Sequence, residues 1–145
     1  MGIRLLLDTQ ALVWWWTDNM QLPAAARTAI ASPDNTVLVS AASAWEIATR
    51  HRFGQWPEVA ALLDGFDANL RRSRFASLPI TQAHARLAGS LDSEHRDPFD
   101  RMLLAQARQE ELAIVSGDPV FRALGATVIW DDTPAPPDAT LPIPA

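Results

Sequence analysis

The chain contains no cysteine and no lysine. Without cysteine there are no disulfides, no thiolate nucleophile and no zinc–thiolate centre. This fits a reducing cytoplasm, the expected location. With no lysine, all twelve basic side chains are arginine. Long apolar runs are missing too. No stretch approaches the roughly 20 residues that a membrane span requires. The opening MGIRLLLDTQ has only three apolar residues in a row before Asp8, too few for a signal-peptide core. No membrane association is therefore expected.

What is present describes a globular chain. It has 145 residues, of which 48% are hydrophobic, with a net charge of −5. A single domain of this length buries roughly 70% of its unfolded surface and needs no metal or disulfide to hold it together. The negative charge argues against a non-specific nucleic-acid binder. Two features soften that objection. Arginine grips phosphate bidentately and stacks on bases, and acids that ligate metal are neutralised when it binds.

Residues 133–145 carry five of the eleven prolines and read as an extended tail after a domain spanning residues 1–132. Within the domain, strand and helix signals alternate. Strands are expected at Ile3–Leu7, Thr36–Ser40, Leu112–Ser116 and Thr127–Trp130. Helices are expected at Gln10–Trp16, Pro23–Ser32, Ala41–His51, Pro57–Ser73, Thr81–Leu91 and Asp97–Glu110, with a short one opening at Asp118-Pro119. Short apolar strands separated by helices imply an α/β fold, a three-layer α/β/α sandwich around a central parallel sheet. In such sheets ligands sit beyond the carboxyl ends of the strands, where the strand order reverses.

Acids lie at that rim. Asp8 follows the first strand, and Asp118 follows the third by two residues. Glu46 sits about two turns into the helix after the second strand. Asp100 occupies the first turn of a long helix. Four carboxylates at one rim repel one another. A hard divalent cation, Mg2+ or Mn2+, removes the conflict and supports hydrolysis of a phosphodiester by metal-activated water. Each aspartate also reads simply as a helix cap. Asp97-Pro98 and Asp118-Pro119 both have the cap-then-proline pattern, and an acid at position 100 suits the helix dipole. Glu46 lies past the capping turn, where the plain alternative is a solvated helix face. Capping and metal binding are compatible, so the case rests on the set.

Two other acidic α/β classes are disfavoured. A phospho-receiver domain needs a lysine near the end of its sheet, and none exists. An aspartate-nucleophile phosphatase needs a second aspartate two residues after the first, where Gln10 stands.

The ordered segments LLLDTQALVWW, VSAASAWEIATRHRFGQ, LPITQAHARLAG, HRDPFDRMLLAQA and LAIVSGDPVF resemble PIN-domain toxins of the VapB–VapC toxin–antitoxin type, from about Ile3 to Trp130. The resemblance implies a magnesium- or manganese-dependent endoribonuclease, an RNA substrate, inhibition by a VapB-type antitoxin and a homodimer. It matches the family's four acids to Asp8, Glu46, Asp100 and Asp118, and its hydroxyl residue to Ser116. Thr9 is placed to orient Asp8 or a bound water, and Asp97 serves mainly as a cap. A catalytically silent PIN scaffold, acting by binding alone, is the alternative.

Arg50 and Arg52, with Arg96 and Arg101 flanking the third acid, are candidate RNA-phosphate contacts. Arg71, Arg72 and Arg74 form a second cluster that reads equally as a solvated face. His84 reads as structural, and His95 as a candidate for positioning substrate. Trp14, Trp15 and Trp16 point about 100° apart on a helix and cannot share one buried face. At least one is expected to be exposed or covered by a partner.

Overall fold

The structure, a computed structural model, describes residues 2–131. The proline-rich tail expected at 133–145 lies outside them. The chain begins with β1 (Arg4–Leu7), α1 (Thr9–Trp16), α2 (Ala24–Ala31), β2 (Thr36–Ser40) and α3 (Ala41–Arg52). A 3-10 turn (Pro57–Val59), α4 (Ala60–Asp64), α5 (Phe66–Ser73), β3 (Ala76–Leu78) and α6 (Gln82–Ser90) follow. The last elements are α7 (Pro98–Glu110), β4 (Ala113–Val115), α8 (Pro119–Ala123) and β5 (Val128–Ile129).

The five strands form one sheet in the order β3-β2-β1-β4-β5, with every neighbouring pair parallel. The order runs outward in one direction from β1 to β3 and in the other from β4 to β5. The switch point therefore falls between β1 and β4, where Leu5, Leu6 and Leu7 pair with Ala113, Ile114 and Val115.

Strand alternation builds a core on each face. Leu5, Leu7, Val37, Val39 and Val115 face one side, under Leu12, Leu22, Ala26 and Ile30 of the α1–α2 region. Leu6, Leu38 and Ile114 face the other, under Leu103, Leu104 and Ala107 of α7 and Phe121 of α8. Both faces are covered, which explains why the central strands read as unbroken apolar runs. The expected three-layer α/β/α architecture is what the chain adopts.

Two expectations about elements need correction. The stretch Pro57–Ser73 is not one helix: it is the 3-10 turn, α4 and α5, with Gly65 standing between the last two. Glycine is a poor helix former, and the amphipathic pattern runs through the break without revealing it. A fifth strand, β3, also sits at the edge of the sheet. It has three residues between Arg74, in the left-handed conformation, and Pro79, and only Leu78 among them is buried. That is too short to show an alternation.

His84 is structural, as expected. Its backbone N–H donates to the Thr81 hydroxyl at 3.1 Å, and its Nδ1 accepts from the Thr81 N–H at 3.0 Å. Its Nε2 lies 2.8 Å from Glu110 of α7. This joins α6 to the helix that carries Asp100.

Ile114 is wholly buried in the strand that precedes Ser116 and Asp118. Ile114→Ala is expected to lower unfolding stability by about 3–4 kcal/mol. Ile3→Ala, at a position 46% exposed, is expected to change it by less than about 1 kcal/mol. Urea unfolding of the two variants checks this.

Candidate active site

At the switch point the carboxyl ends of β1 and β4 open into a cavity of about 640 Å³. Its charged lining is Asp8, Glu46, Asp97, Asp100 and Asp118, with Arg50 as the cation. Thr9, Gln10, Gln21 and Gly117 add polar and small surface, and the indoles of Trp14 and Trp130 complete the wall.

Helix starts hold most of these acids. The Asp8 carboxylate caps α1, accepting from the Ala11 N–H at 2.7 Å, while its own N–H donates to Val115 O across the switch point at 3.0 Å. Asp97 caps α7, accepting from the N–H groups of Phe99 and Asp100 at 2.9 and 3.3 Å. Asp118 caps α8, accepting from the Val120 N–H at 3.0 Å. The caps expected of these aspartates are made, and by side chains that also line the cavity. Each free N–H group at a helix start satisfies one carboxylate oxygen and leaves the rest of the group facing the cavity.

The remaining acids are held by side chains. Asp100 lies one turn inside α7, with Oδ2 2.9 Å from His95 Nε2. Glu46, on α3, pairs with Arg50 one turn on at 3.5 Å. The Arg50 guanidinium also lies 5.0 Å over the Trp56 ring, which fixes its direction. The Thr9 hydroxyl sits 3.0 Å from that of Ser43 and beside the Glu46 carboxylate. Ser116 is buried next to Asp8, and its hydroxyl accepts from the Asp118 N–H at 3.0 Å.

Burial and crowding leave an electrostatic signature. Burial pushes the Asp8 carboxyl up to about 6. The hydrogen bonds from Ser116 and Ala11 pull it down, and the charges of Asp100 and Glu46 raise it further. Glu46 is raised by burial, and by Asp97 and Asp100, against the lowering effects of Thr9 and Arg50. Asp100 is raised by burial, and by Asp97 and Asp118, against His95. Each of these acids senses others of the set, so the cavity holds unrelieved negative charge.

The donors are all hard oxygens, the set that suits Mg2+ or Mn2+ rather than soft metals. Among the described residues no three acids or histidines close on a single point as a preformed chelate. They line a cavity instead, which suits a cation that keeps several of its waters.

A sequence model of the PIN domain matches residues 5–126. The chain belongs to the PIN domain family. No curated protein sequence matches it. Among solved structures its fold is similar to VapBC2 from Rickettsia felis bound to a promoter DNA fragment (TM-score 0.65, 15% identity, 89% of this chain and 98% of that one). It is also similar to DNA-bound VapBC from Salmonella typhimurium (0.60, 17%, 89% and 98%). A third is VapC20 of Mycobacterium tuberculosis, described as a sarcin–ricin loop-cleaving toxin (0.59, 20%, 85% and 96%). At such identities the likeness is one of fold.

Within this PIN fold the residues singled out from sequence divide into two groups. Asp8, Thr9, Glu46, Arg50, Asp97, Asp100 and Asp118 line the cavity, with Ser116 buried against Asp8. Arg52, Arg96 and Arg101 do not line it. Arg52 lies over the Phe53 ring at 4.3 Å, and Arg96 is exposed. Arg101 differs from both. Its guanidinium donates to the carbonyls of Ala88, Leu91, Ser93 and His95, each at 2.9 Å, and to Gly89 at 3.4 Å. It is committed to the loop that presents His95 and Asp97. The adjacent positions 95 and 96 offer no signal of this, since it depends on where α6 ends.

The three consecutive tryptophans are each half-buried against a different aromatic partner: Trp14 on Trp130, Trp15 on Phe75 and Trp16 on Phe66. None is left fully exposed. The cavity residues not singled out from sequence are Gln10, Gln21, Gly117 and Trp130. Gln10 and Trp130 flank segments that were recognised, and only the folded chain brings them round to the acids.

Two outcomes follow. Asp8 binds its proton more tightly folded than unfolded. Its contribution is therefore unpenalised below about pH 4 and becomes a penalty as pH rises through about 6. Metal-free protein is expected to lose stability across that window. Asp8→Asn keeps the cap and removes the charge, so it is expected to be more stable than wild type by on the order of 2 kcal/mol at pH 8, with no gain at pH 4. Thermal unfolding in EDTA at both pH values measures this. Arg101→Ala leaves several carbonyls without their donor and is expected to lower stability by about 2–4 kcal/mol. Arg96→Ala, on an exposed side chain, is expected to be neutral within about 0.5 kcal/mol.

Proposed function

We propose that the chain is the toxin of a VapB–VapC-type pair, a Mg2+- or Mn2+-dependent endoribonuclease that hydrolyses RNA phosphodiesters. The observation that carries the reading is the cavity at the switch point, where Asp8, Glu46, Asp100 and Asp118 meet, the first three with raised proton affinities, and where Arg50 is the one cationic side chain among the described lining residues. Membership of the PIN domain family supports it, as does a fold shared with toxins such as the sarcin–ricin loop-cleaving protein.

On this reading Asp8, Asp100, Asp118 and Glu46 hold the divalent cation. When bound, it lowers the pKa of water and neutralises charge developing on the phosphoryl group. The chain's own groups do the positioning. The α1 amides and Ser116 aim Asp8, His95 aims Asp100, and Thr9 with Ser43 steadies Glu46. Asp97 holds the start of α7 so that Asp100 faces the cavity. Arg50, braced on Trp56, meets a phosphate oxygen of the substrate. The proton that leaves the attacking water passes through solvent to the departing ribose oxygen. Water adds to phosphorus, the P–O bond to the leaving ribose oxygen breaks, and no covalent enzyme intermediate forms. Arg52 and Arg96, both outside the cavity, meet flanking phosphates. Arg101, held by its loop, is omitted from this role.

The partners belonging to this reading are an RNA substrate, a VapB-type antitoxin that blocks the cavity and a second copy of the chain in a homodimer. Its place is the cytoplasm. No described helix is long and apolar enough to cross a membrane.

Antitoxin-free protein is to be incubated with cellular RNA and Mg2+ or Mn2+, beside an EDTA control and the Asp8→Asn and Asp100→Asn variants. The expected result is discrete cleavage that requires metal and falls by at least about 100-fold in each variant. Equal cleavage by wild type and both variants would overturn the assignment of the acids. No cleavage of any RNA would turn the reading towards a binding-only module.

A further inference from the structure

Part of the cavity lining is aromatic. We infer that Trp14 and Trp130 form a stacking platform for a nucleobase of the RNA strand, next to the phosphate held at the acids. The inference rests on the ribonuclease reading and names the part of that site which meets the base.

Three observations carry it. First, both indoles line the same cavity as the carboxylates and are half-buried, so part of each faces the space where substrate would lie. Their ring centroids are 6.0 Å apart with planes inclined at 35°. They brace one another without closing into a parallel sandwich.

Second, Gly117 makes room for the platform. A side chain begun there would place its Cβ 2.6–2.9 Å from Cε2, Cζ2 and Nε1 of Trp130, closer than packed atoms come. The indole therefore rests on bare backbone between Ser116 and Asp118, and the stacking surface is held beside a candidate metal ligand.

Third, Gln10 and Gln21 line the same space. Each amide carries both a donor and an acceptor without charge, the pairing that reads the edge of a base. The acids exclude a second anion from this wall, whereas an uncharged base on an indole is unaffected by them. A concavity of about 640 Å³ suits a nucleotide-sized group, which favours a base over a flat protein face.

The test uses the full chain with Ca2+, an oxygen-seeking cation, in place of Mg2+ or Mn2+, so that the acids are neutralised and binding is read without cleavage. A short single-stranded RNA of about eight nucleotides carries a fluorescent label, and matched versions carry an abasic residue at each position in turn. Anisotropy gives affinity for wild type, Trp14→Leu, Trp130→Leu, Trp130→Phe and Gly117→Ala, with Trp45→Leu, an exposed tryptophan outside the cavity, as control. One abasic position is expected to weaken wild-type binding about ten-fold. Trp14→Leu and Trp130→Leu are expected to lose about as much on intact RNA and to become indifferent to that abasic position. Trp130→Phe keeps a π face and is expected to retain most of the affinity. Gly117→Ala is expected to weaken binding without removing either indole, and Trp45→Leu to bind as wild type does.

Wild type that binds every abasic RNA as tightly as the intact one would overturn the platform, and that arm needs no variant to fold. Variants that bind and cleave like wild type but change the oligomeric state in sedimentation would also overturn it, making the wall a protein interface. If wild type cleaves RNA while the platform fails, the ribonuclease reading survives alone. If wild type neither binds nor cleaves RNA with Mg2+ or Mn2+, both fall together.

Discussion

Repulsion among carboxylates confined at the carboxyl ends of the central strands is the constraint around which this molecule is arranged. Asp8, Glu46 and Asp100 are each raised by burial and by neighbouring acids. A fold of ordinary stability cannot leave such charge unsupported. Part of the support comes from the backbone. The starts of α1, α7 and α8 each offer amide donors to an acid, so the carboxylates are oriented by the same bonds that begin the helices. These bonds fix direction while leaving charge facing the cavity, which is the condition for a site that attracts a cation.

The rest of the support comes from groups one layer out. Ser116 steadies Asp8, the Thr9–Ser43 pair steadies Glu46, and His95 steadies Asp100. The loop presenting His95 is tied down by Arg101, whose donors meet five carbonyls between Ala88 and His95. Arg101, next to Asp100 in sequence, thus serves the backbone, whereas Arg96 is exposed.

Much of this was legible before the fold was known, for physical reasons that differ by element. The β1 and β4 strands are buried on both faces, so they stand out as apolar runs, and the acids that follow them are placed by the rule that parallel sheets bind ligands at their carboxyl ends. The Asp97-Pro98 and Asp118-Pro119 caps are local, and local chemistry is written in adjacent residues. β3 was not legible because three residues at a sheet edge carry no period. The break at Gly65 was hidden because the amphipathic pattern continues on both sides of it. The different fates of Arg96 and Arg101 depend on where the α6–α7 loop passes, and the meeting of Trp130 with Gly117 and Trp14 depends on β5 docking beside β4. Neither is encoded in the spacing of neighbours.

Uptake of a divalent cation by the cavity is what separates a metal site from a set of helix caps. Mn2+ is to be titrated into metal-free wild type and Asp100→Asn at pH 7.5 by calorimetry, with thermal unfolding of the same samples. The expected result is saturable binding to wild type, a rise in its melting temperature with Mn2+ concentration, and loss of both in Asp100→Asn although that variant folds. Wild type that binds no Mn2+ and melts at the same temperature with or without it would contradict the account and leave the acids as helix caps.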